Sequence, residues 1–293
     1  MSDQITFEIK CPSGFILEAK PWSTGLLERF RRALKAPTGI KLDIFYSMIE
    51  AGWVSVVDSG PYSRLPVGDV RPPEPWKHLL DIDTDAILCT MRAESVDPVL
   101  YVPMHCRACN ASDKFAPVDL RTLATIPIPD DVREKIARDE NLEADIDGAR
   151  VGFILSYGSQ ESRAQKLFDE IKRNKKLYAE LNADERSERQ AQAFLESAAV
   201  RIRTIDGKSV TPLEAWHWIR AGRRPIARFN ALTSAFAEHD YGLVTEADVT
   251  CECDTLNRVK FSLITTQYFL TQPTKIKPQR SGTSSQDSSR TES

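Results

Sequence analysis

Cys106-Arg107-Ala108-Cys109 and Cys251-Glu252-Cys253 are the two places where this chain sets a pair of thiols within reach of one ion. Cysteines two or three positions apart on a turn aim both sulfurs at the same point, and two such turns complete a tetrahedron. Thiolates suit Zn²⁺, which is borderline soft and has no redox chemistry. A CxxC also serves thioredoxin-type redox chemistry, but that motif sits between a strand and a helix of a βαβ unit. Here Asn110, Asp113 and then strand-like residues follow. The expected site is therefore a structural Zn²⁺ held by Cys106, Cys109, Cys251 and Cys253. The second pair is one residue tighter than the usual spacing, which makes His105, beside Cys106, a reserve ligand. Cys11, in a turn, and Cys89, on the apolar face of a helix, read as packing thiols.

The flanks of the two pairs resemble each other. Val102-Pro-Met-His-Cys106-Arg-Ala-Cys109-Asn110 leads into Lys114-Phe115 and Val118-Asp-Leu120; Val249-Thr-Cys251-Glu-Cys253-Asp254 leads into Arg258-Val259 and Phe261-Ser-Leu263. Both read as strand, knuckle, strand, and a helix segment lies upstream of each, Met91-Arg92-Ala93 and Ile219-Arg220-Ala221. Repetition of one supersecondary unit at two positions is the mark of an internal duplication. Each half then donates two ligands, and the ion joins the halves.

The elements that must position these residues follow from periodicity and turn chemistry. Ile5 to Lys20 alternates on both sides of Pro12-Ser13-Gly14, the pattern of a β-hairpin. Ser23 or Thr24 caps a short helix to Leu34, ended by Pro37 and Gly39, and the breaker-rich stretch 57–76 reads as a loop. Leu79, Ile82, Ala86 and Cys89 recur at helical spacing over Lys77 to Ala93. Pro127-Ile-Pro129-Asp130-Asp131 opens a polar segment, and Val151 to Tyr157 reads as a strand. Residues 160–200 suit two amphipathic helices broken near Asn182. Thr211-Pro212-Leu213-Glu214 combines an N-cap, a first-turn proline and a capping-box glutamate, and a further helix runs from Pro225 to about Glu238. The expected organisation is α+β: two duplicated halves joined at a shared zinc ribbon. They comprise an N-terminal half over 1–126, a linker over 127–150, a helical C-terminal half over 151–271 and a disordered tail over 272–293.

Composition bounds the function. The 293 residues are 41% hydrophobic and 28% charged, near globular averages, and no stretch approaches the length of a membrane span. A net charge of −3 gives no electrostatic footprint for nucleic acid. The polar start from Met1 to Lys10 is not a secretory signal, which points to a reducing compartment and away from a disulfide framework. Pro103-Met-His-Cys106-Arg-Ala-Cys109 has the look of half a nucleotide-deaminase site, but the required His-x-Glu does not occur, and His78, His105, His217 and His239 head no catalytic motif. Arg220, Arg223, Arg224 and Arg228 beside Trp216 and Trp218 form a local basic cluster. It supports one alternative, a nucleic-acid-binding zinc ribbon.

The order of these motifs resembles the tail baseplate hub and hub-assembly proteins of T-even-like bacteriophages. The resemblance rests on Pro12-Ser13-Gly14, Leu79-Leu80 with Asp81 to Asp85, Met91-Arg92-Ala93, the Cys106 to Cys109 knuckle and Val118-Asp119-Leu120. It continues through Ile205-Asp206-Gly207, Trp218-Ile-Arg-Ala-Gly-Arg-Arg224, Cys251 to Cys253 and Phe261-Ser-Leu263 to Tyr268-Phe269. Asp254 stands where the resemblance leads one to expect glycine. It implies a non-enzymatic phage tail protein acting in baseplate hub assembly or structure. Its partners would be other tail and baseplate proteins, with no small-molecule substrate and no nucleic acid. Its place would be the host cytoplasm during assembly, or the virion tail.

Overall fold

A computed structural model describes residues 5–35, 41–110, 114–158, 197–221, 224–261 and 263. Of the helices expected over 160–200, residues 160–196 lie outside the described residues, as does the tail over 272–293. The architecture is mixed α+β.

Strands β1 (Phe7–Lys10) and β2 (Ile16–Ala19) form the expected hairpin, with Phe7 opposite Ala19 and Lys10 opposite Ile16. The Cys11 amide bonds the Phe15 carbonyl at 2.9 Å and closes the turn. Ile9, Leu17 and Ala19 point into the core. After helices α1 (Thr24–Lys35) and α2 (Lys41–Gly52), strand β3 (Trp53–Asp58) returns antiparallel beside β2, completing a three-stranded sheet in the order β1-β2-β3.

Helix α3 (Asp81–Ser95) starts four residues later than its periodicity suggests. Leu80 is instead extended: it bridges Tyr157, and the neighbouring Asp81 amide bonds the Ser156 carbonyl at 3.0 Å. This helix separates two cores. Ile87, Leu88 and Met91 join the larger one, and Cys89 joins the smaller.

Strands β4 (Val99–Met104) and β5 (Lys114–Asp119) make the first cysteine-bearing hairpin, and β6 (Thr125–Ile126) follows. The stretch 127–150, expected to be a linker, is instead part of the body. It holds helix α4 (Asp130–Ala137), strand β7 (Leu142–Ile146) and the start of β8 (Ala149–Phe153). The Ile128 amide bonds the Pro12 carbonyl at 3.2 Å, and Val132, Leu142 and Ile146 are buried. Acids are frequent in it, but four buried apolar side chains, Ile128, Val132, Leu142 and Ile146, anchor it.

Strands β9 (Ile202–Ile205) and β10 (Lys208–Ser209) extend β7 and β8 into an antiparallel sheet in the order β10-β9-β8-β7. Its two tight turns, Asp147-Gly148 and Asp206-Gly207, have positive φ at both residues, the backbone that matches strand twist in two-residue hairpins. Helix α5 (Pro212–Arg220) begins with the expected capping box: the Glu214 amide bonds Thr211 Oγ1 at 3.3 Å and the Thr211 amide bonds Glu214 Oε2 at 2.7 Å. Helix α6 (Pro225–Ala237) sends Leu232, Ala235 and Phe236 inward, with Phe236 edge-on to Phe153 at 5.0 Å.

The larger core thus takes side chains from both expected halves, from Ile9 and Phe15 to Ile219 and Phe236. It does not divide at the 127–150 boundary. The smaller core lies under the cysteines and is shared between β4, β5 and the second hairpin, β12 (Glu246–Thr250) with β13 (Leu256–Lys260). Between the two hairpins, β6 pairs antiparallel with β11 (Gly242–Leu243). Gly242 has φ +101°, and a Cβ there would stand 2.8 Å from Ile82 Cβ. Only glycine lets β11 lie this close against α3.

Candidate metal centre

Both cysteine pairs sit at the tips of antiparallel hairpins, so each pair inherits a rigid base. In the second hairpin Thr250 pairs with Leu256, leaving five residues to turn. The Cys251 amide bonds the Thr255 carbonyl and the Asp254 amide bonds the Cys251 carbonyl, both at 2.9 Å. The first turn is longer, with Met104 opposite Lys114. Despite the different lengths the tips share one device: the residue after the second cysteine is left-handed, Asn110 at φ +55° and Asp254 at φ +61°. Asn and Asp are the non-glycine residues that adopt this state most readily, so the position expected to hold glycine keeps its backbone conformation.

The two tips meet. Cys106 Sγ lies 3.6 Å from Cys253 Sγ, and Cys109 Sγ lies 3.7 Å from Cys251 Sγ. All four sulfurs fall within 4.8 Å of one another. These separations far exceed the roughly 2.05 Å of a disulfide, and all four thiols are free. The group can hold a metal ion. All four predicted ligands are brought together from opposite ends of the chain, the tight CxC pair included. His105 is exposed and lies outside the cluster.

The environment favours thiolates. Cys106 is fully buried, yet its pKa is lowered to about 6. The backbone N–H of Cys109 is the largest cause, with the Ala108 N–H, Cys253 and Asn257 adding to it against the opposing effect of burial. Amide hydrogens directed at sulfur supply the positive charge a thiolate requires. Cys253 is also lowered, chiefly by the Thr255 hydroxyl 3.4 Å from its sulfur. Asn257 Nδ2 lies 3.6 Å from Cys106 Sγ and donates to the Thr255 carbonyl at 2.9 Å. Cys106 and Cys251 face the small core, while Cys109 and Cys253 are exposed.

Sequence reasoning missed Thr255 and Asn257. Their signal was available: polar side chains two and four residues after the last cysteine lie where the chain turns back past the sulfurs.

The other two cysteines pack as expected. Burial pushes the Cys11 thiol well above its ordinary value and Cys89 up to about 12. Thiols held protonated in this way are poor ligands and poor nucleophiles.

The basic cluster is partly consumed by the fold. Arg228 pairs with Asp147 Oδ2 at 2.7 Å, donates to the carbonyls of Trp218 and Ala221 at 2.5 Å, and lies 4.6 Å over the Trp218 ring. Arg220 lies 4.7 Å over Trp216. Arg223 lies outside the described residues. Among the described residues no helix is long and apolar enough to cross a membrane. Compared with known proteins, the chain matches no family model, no curated protein and no solved structure.

Proposed function

We propose that Cys106, Cys109, Cys251 and Cys253 hold one structural Zn²⁺, and that the chain is a non-enzymatic bacteriophage tail protein acting in baseplate hub assembly or structure. The observation that carries the metal reading is the sulfur spacing. Tetrahedral zinc with Zn–S bonds of about 2.3 Å sets neighbouring sulfurs about 3.8 Å apart, and the two close pairs stand at 3.6 and 3.7 Å. Four sulfurs fill the coordination shell and leave no position for water or substrate, the mark of a structural rather than a catalytic zinc. The ion supplies a clamp between two hairpins. The matching hairpins, each with a left-handed residue after its second cysteine, support an internal duplication in which each half donates one knuckle to a shared zinc ribbon.

The assignment to the baseplate hub rests on the order of motifs in the sequence, and its partners are then other tail proteins, met in the host cytoplasm during assembly or in the virion tail. The alternative, a nucleic-acid-binding zinc ribbon, draws on the basic cluster. The internal bonds of Arg228 leave less of that cluster free for phosphate and favour the assembly reading.

Metal analysis by mass spectrometry on purified protein and on Cys251→Ser tests the site. One zinc per chain, lost in the variant, is expected; equal metal in both, or none in either, overturns it. Co-purification with neighbouring tail proteins tests the assembly role, and tight, salt-sensitive DNA binding in a filter assay would replace it with the alternative.

A further inference from the structure

A cavity of about 310 Å³ opens at the edge of the larger core. Five separate segments build it: the loop after β3, the 3-10 turn Pro75–His78, the end of helix α4 together with Asp139, the residues Ile154 and Tyr157 after β8, and Arg203 of β9. Ile136 and Ile154, both half-buried, supply apolar lining. Its polar lining is dominated by cations: Arg64, Lys77, Arg203 and the imidazole of His78, against the single carboxylate of Asp139. A chain whose net charge is −3 has gathered three permanent positive charges around one opening.

Internal pairing does not exhaust these charges. Asp139 binds Arg203 at 2.7 Å but is itself largely exposed, and Glu74 binds Lys77 from outside the cavity. Arg64 has no ion-pair partner among the described residues. Burial, with Arg64 and Lys77 nearby, lowers the pKa of His78. Tyr157 adds a phenol to the wall; burial, then Asp139, raises its pKa, with Arg203 opposing.

Lys77 and Arg203 each have one exposed carboxylate partner and Arg64 has none, so the opening keeps a net positive charge, which an anion placed there would offset. A single carboxylate carries one charge. A phosphate carries about two, with three acceptor oxygens suited to the guanidinium fork and to a lysine ammonium. The volume lies at the lower end of small-ligand cavities.

We propose that this cavity binds a small phosphate-bearing ligand, with Arg64, Lys77 and Arg203 on the phosphate and Ile136 and Ile154 against the group that carries it. Because the three cationic residues come from separate segments, the bound anion ties the loop after β3 and the 3-10 turn to strand β9.

The probe is inorganic pyrophosphate titrated into the full chain by calorimetry, with sodium sulfate and citrate at matched ionic strength as controls. One saturable site is expected, weakened at least about tenfold in Arg64→Gln, as for the loss of a charge-assisted bond. Arg203→Gln is expected to weaken it similarly. If releasing Asp139 prevents that variant from folding, Arg64→Gln decides alone, because its side chain is exposed and unpaired. No saturable binding, equal binding of sulfate, or unchanged binding in Arg64→Gln overturns the proposal. Tighter binding of citrate than of pyrophosphate replaces phosphate by a polycarboxylate and overturns it equally.

Discussion

Asn257 on β13 directs its amide nitrogen at Cys106 at the tip of the opposite hairpin, 3.6 Å from the sulfur and 151 positions away in the chain. A donor aimed at a ligand sulfur orients the ligand and disperses the negative charge of the thiolate. Partners of this kind are worth about 10- to 100-fold in metal affinity. Asn257→Ala is expected to lose that factor while the fold is kept, and Asn257→Asp to lose more, because a carboxylate would then face a thiolate. Competition with a chromophoric chelator measures both.

Metal removal should loosen one part of the molecule and spare the other. The smaller core draws on both cysteine hairpins, whereas the β1-β2-β3 sheet belongs wholly to the larger core. On addition of a strong chelator, amides of β4, β5, β12 and β13 are expected to exchange faster by hydrogen–deuterium exchange, with the amides of β1 to β3 unchanged. A uniform rise across the chain would show that the two cores unfold as one.

Asp83 is fully buried at the start of α3, where it accepts from the Ser13 amide at 3.1 Å and from the hydroxyls of Ser13 and Tyr62. Burial raises its pKa from 3.8 to about 6, against the lowering effect of these three donors. The folded state therefore holds the proton more tightly than the unfolded chain. The resulting stability is complete below pH 3.8 and is lost as pH rises through about 6. This amounts to about 1.4 kcal/mol between pH 5 and pH 8. Asp83→Asn should abolish this component, so the stability difference between the two proteins, read from urea midpoints, changes by that amount across the interval. Surface carboxylates, present in both, cancel.

Thr211→Ala removes the side-chain acceptor for the Glu214 amide and half of the capping box on α5. A cost of about 1 kcal/mol is expected from denaturant unfolding.

At Asp254 the φ of +61° lies where glycine is relaxed and other residues are strained. Asp254→Gly should be neutral or stabilise the holo protein by up to about 1 kcal/mol, and Asp254→Val should weaken metal binding, because a β-branched residue resists this backbone. Thermal unfolding of the metal-loaded variants separates the two outcomes.

The parts of the fold legible in sequence are those set by local chemistry. Pro12-Ser13-Gly14 marks a hairpin turn, and Thr211-Pro212 with Glu214 marks a helix start. The four cysteines were legible because metal ligation constrains residue type as well as spacing. What escaped depends on long-range partners. The stretch 127–150 reads as a linker because its apolar residues are few; only the packed structure reveals that Val132, Leu142 and Ile146 meet the core. One local signal in it was overlooked, since Asp147-Gly148 is a strong hairpin turn and closes β7 onto β8. The merging of both halves into one core, the burial of Asp83 and the cationic cavity all arise from segments far apart in the chain. No periodicity encodes such encounters.

The pairing of Cys109 with Cys251 spans 142 residues, and this separation sets an order of events during synthesis. At about 5 to 20 residues per second the ribosome needs roughly 7 to 30 s to deliver the second knuckle after the first. Throughout that interval the nascent chain presents two of the four proposed ligands, while every residue of the β1-β2-β3 sheet has already been synthesised. On the proposed zinc site, closure of the four-cysteine shell therefore waits until translation has reached the distal knuckle and the two tips have met.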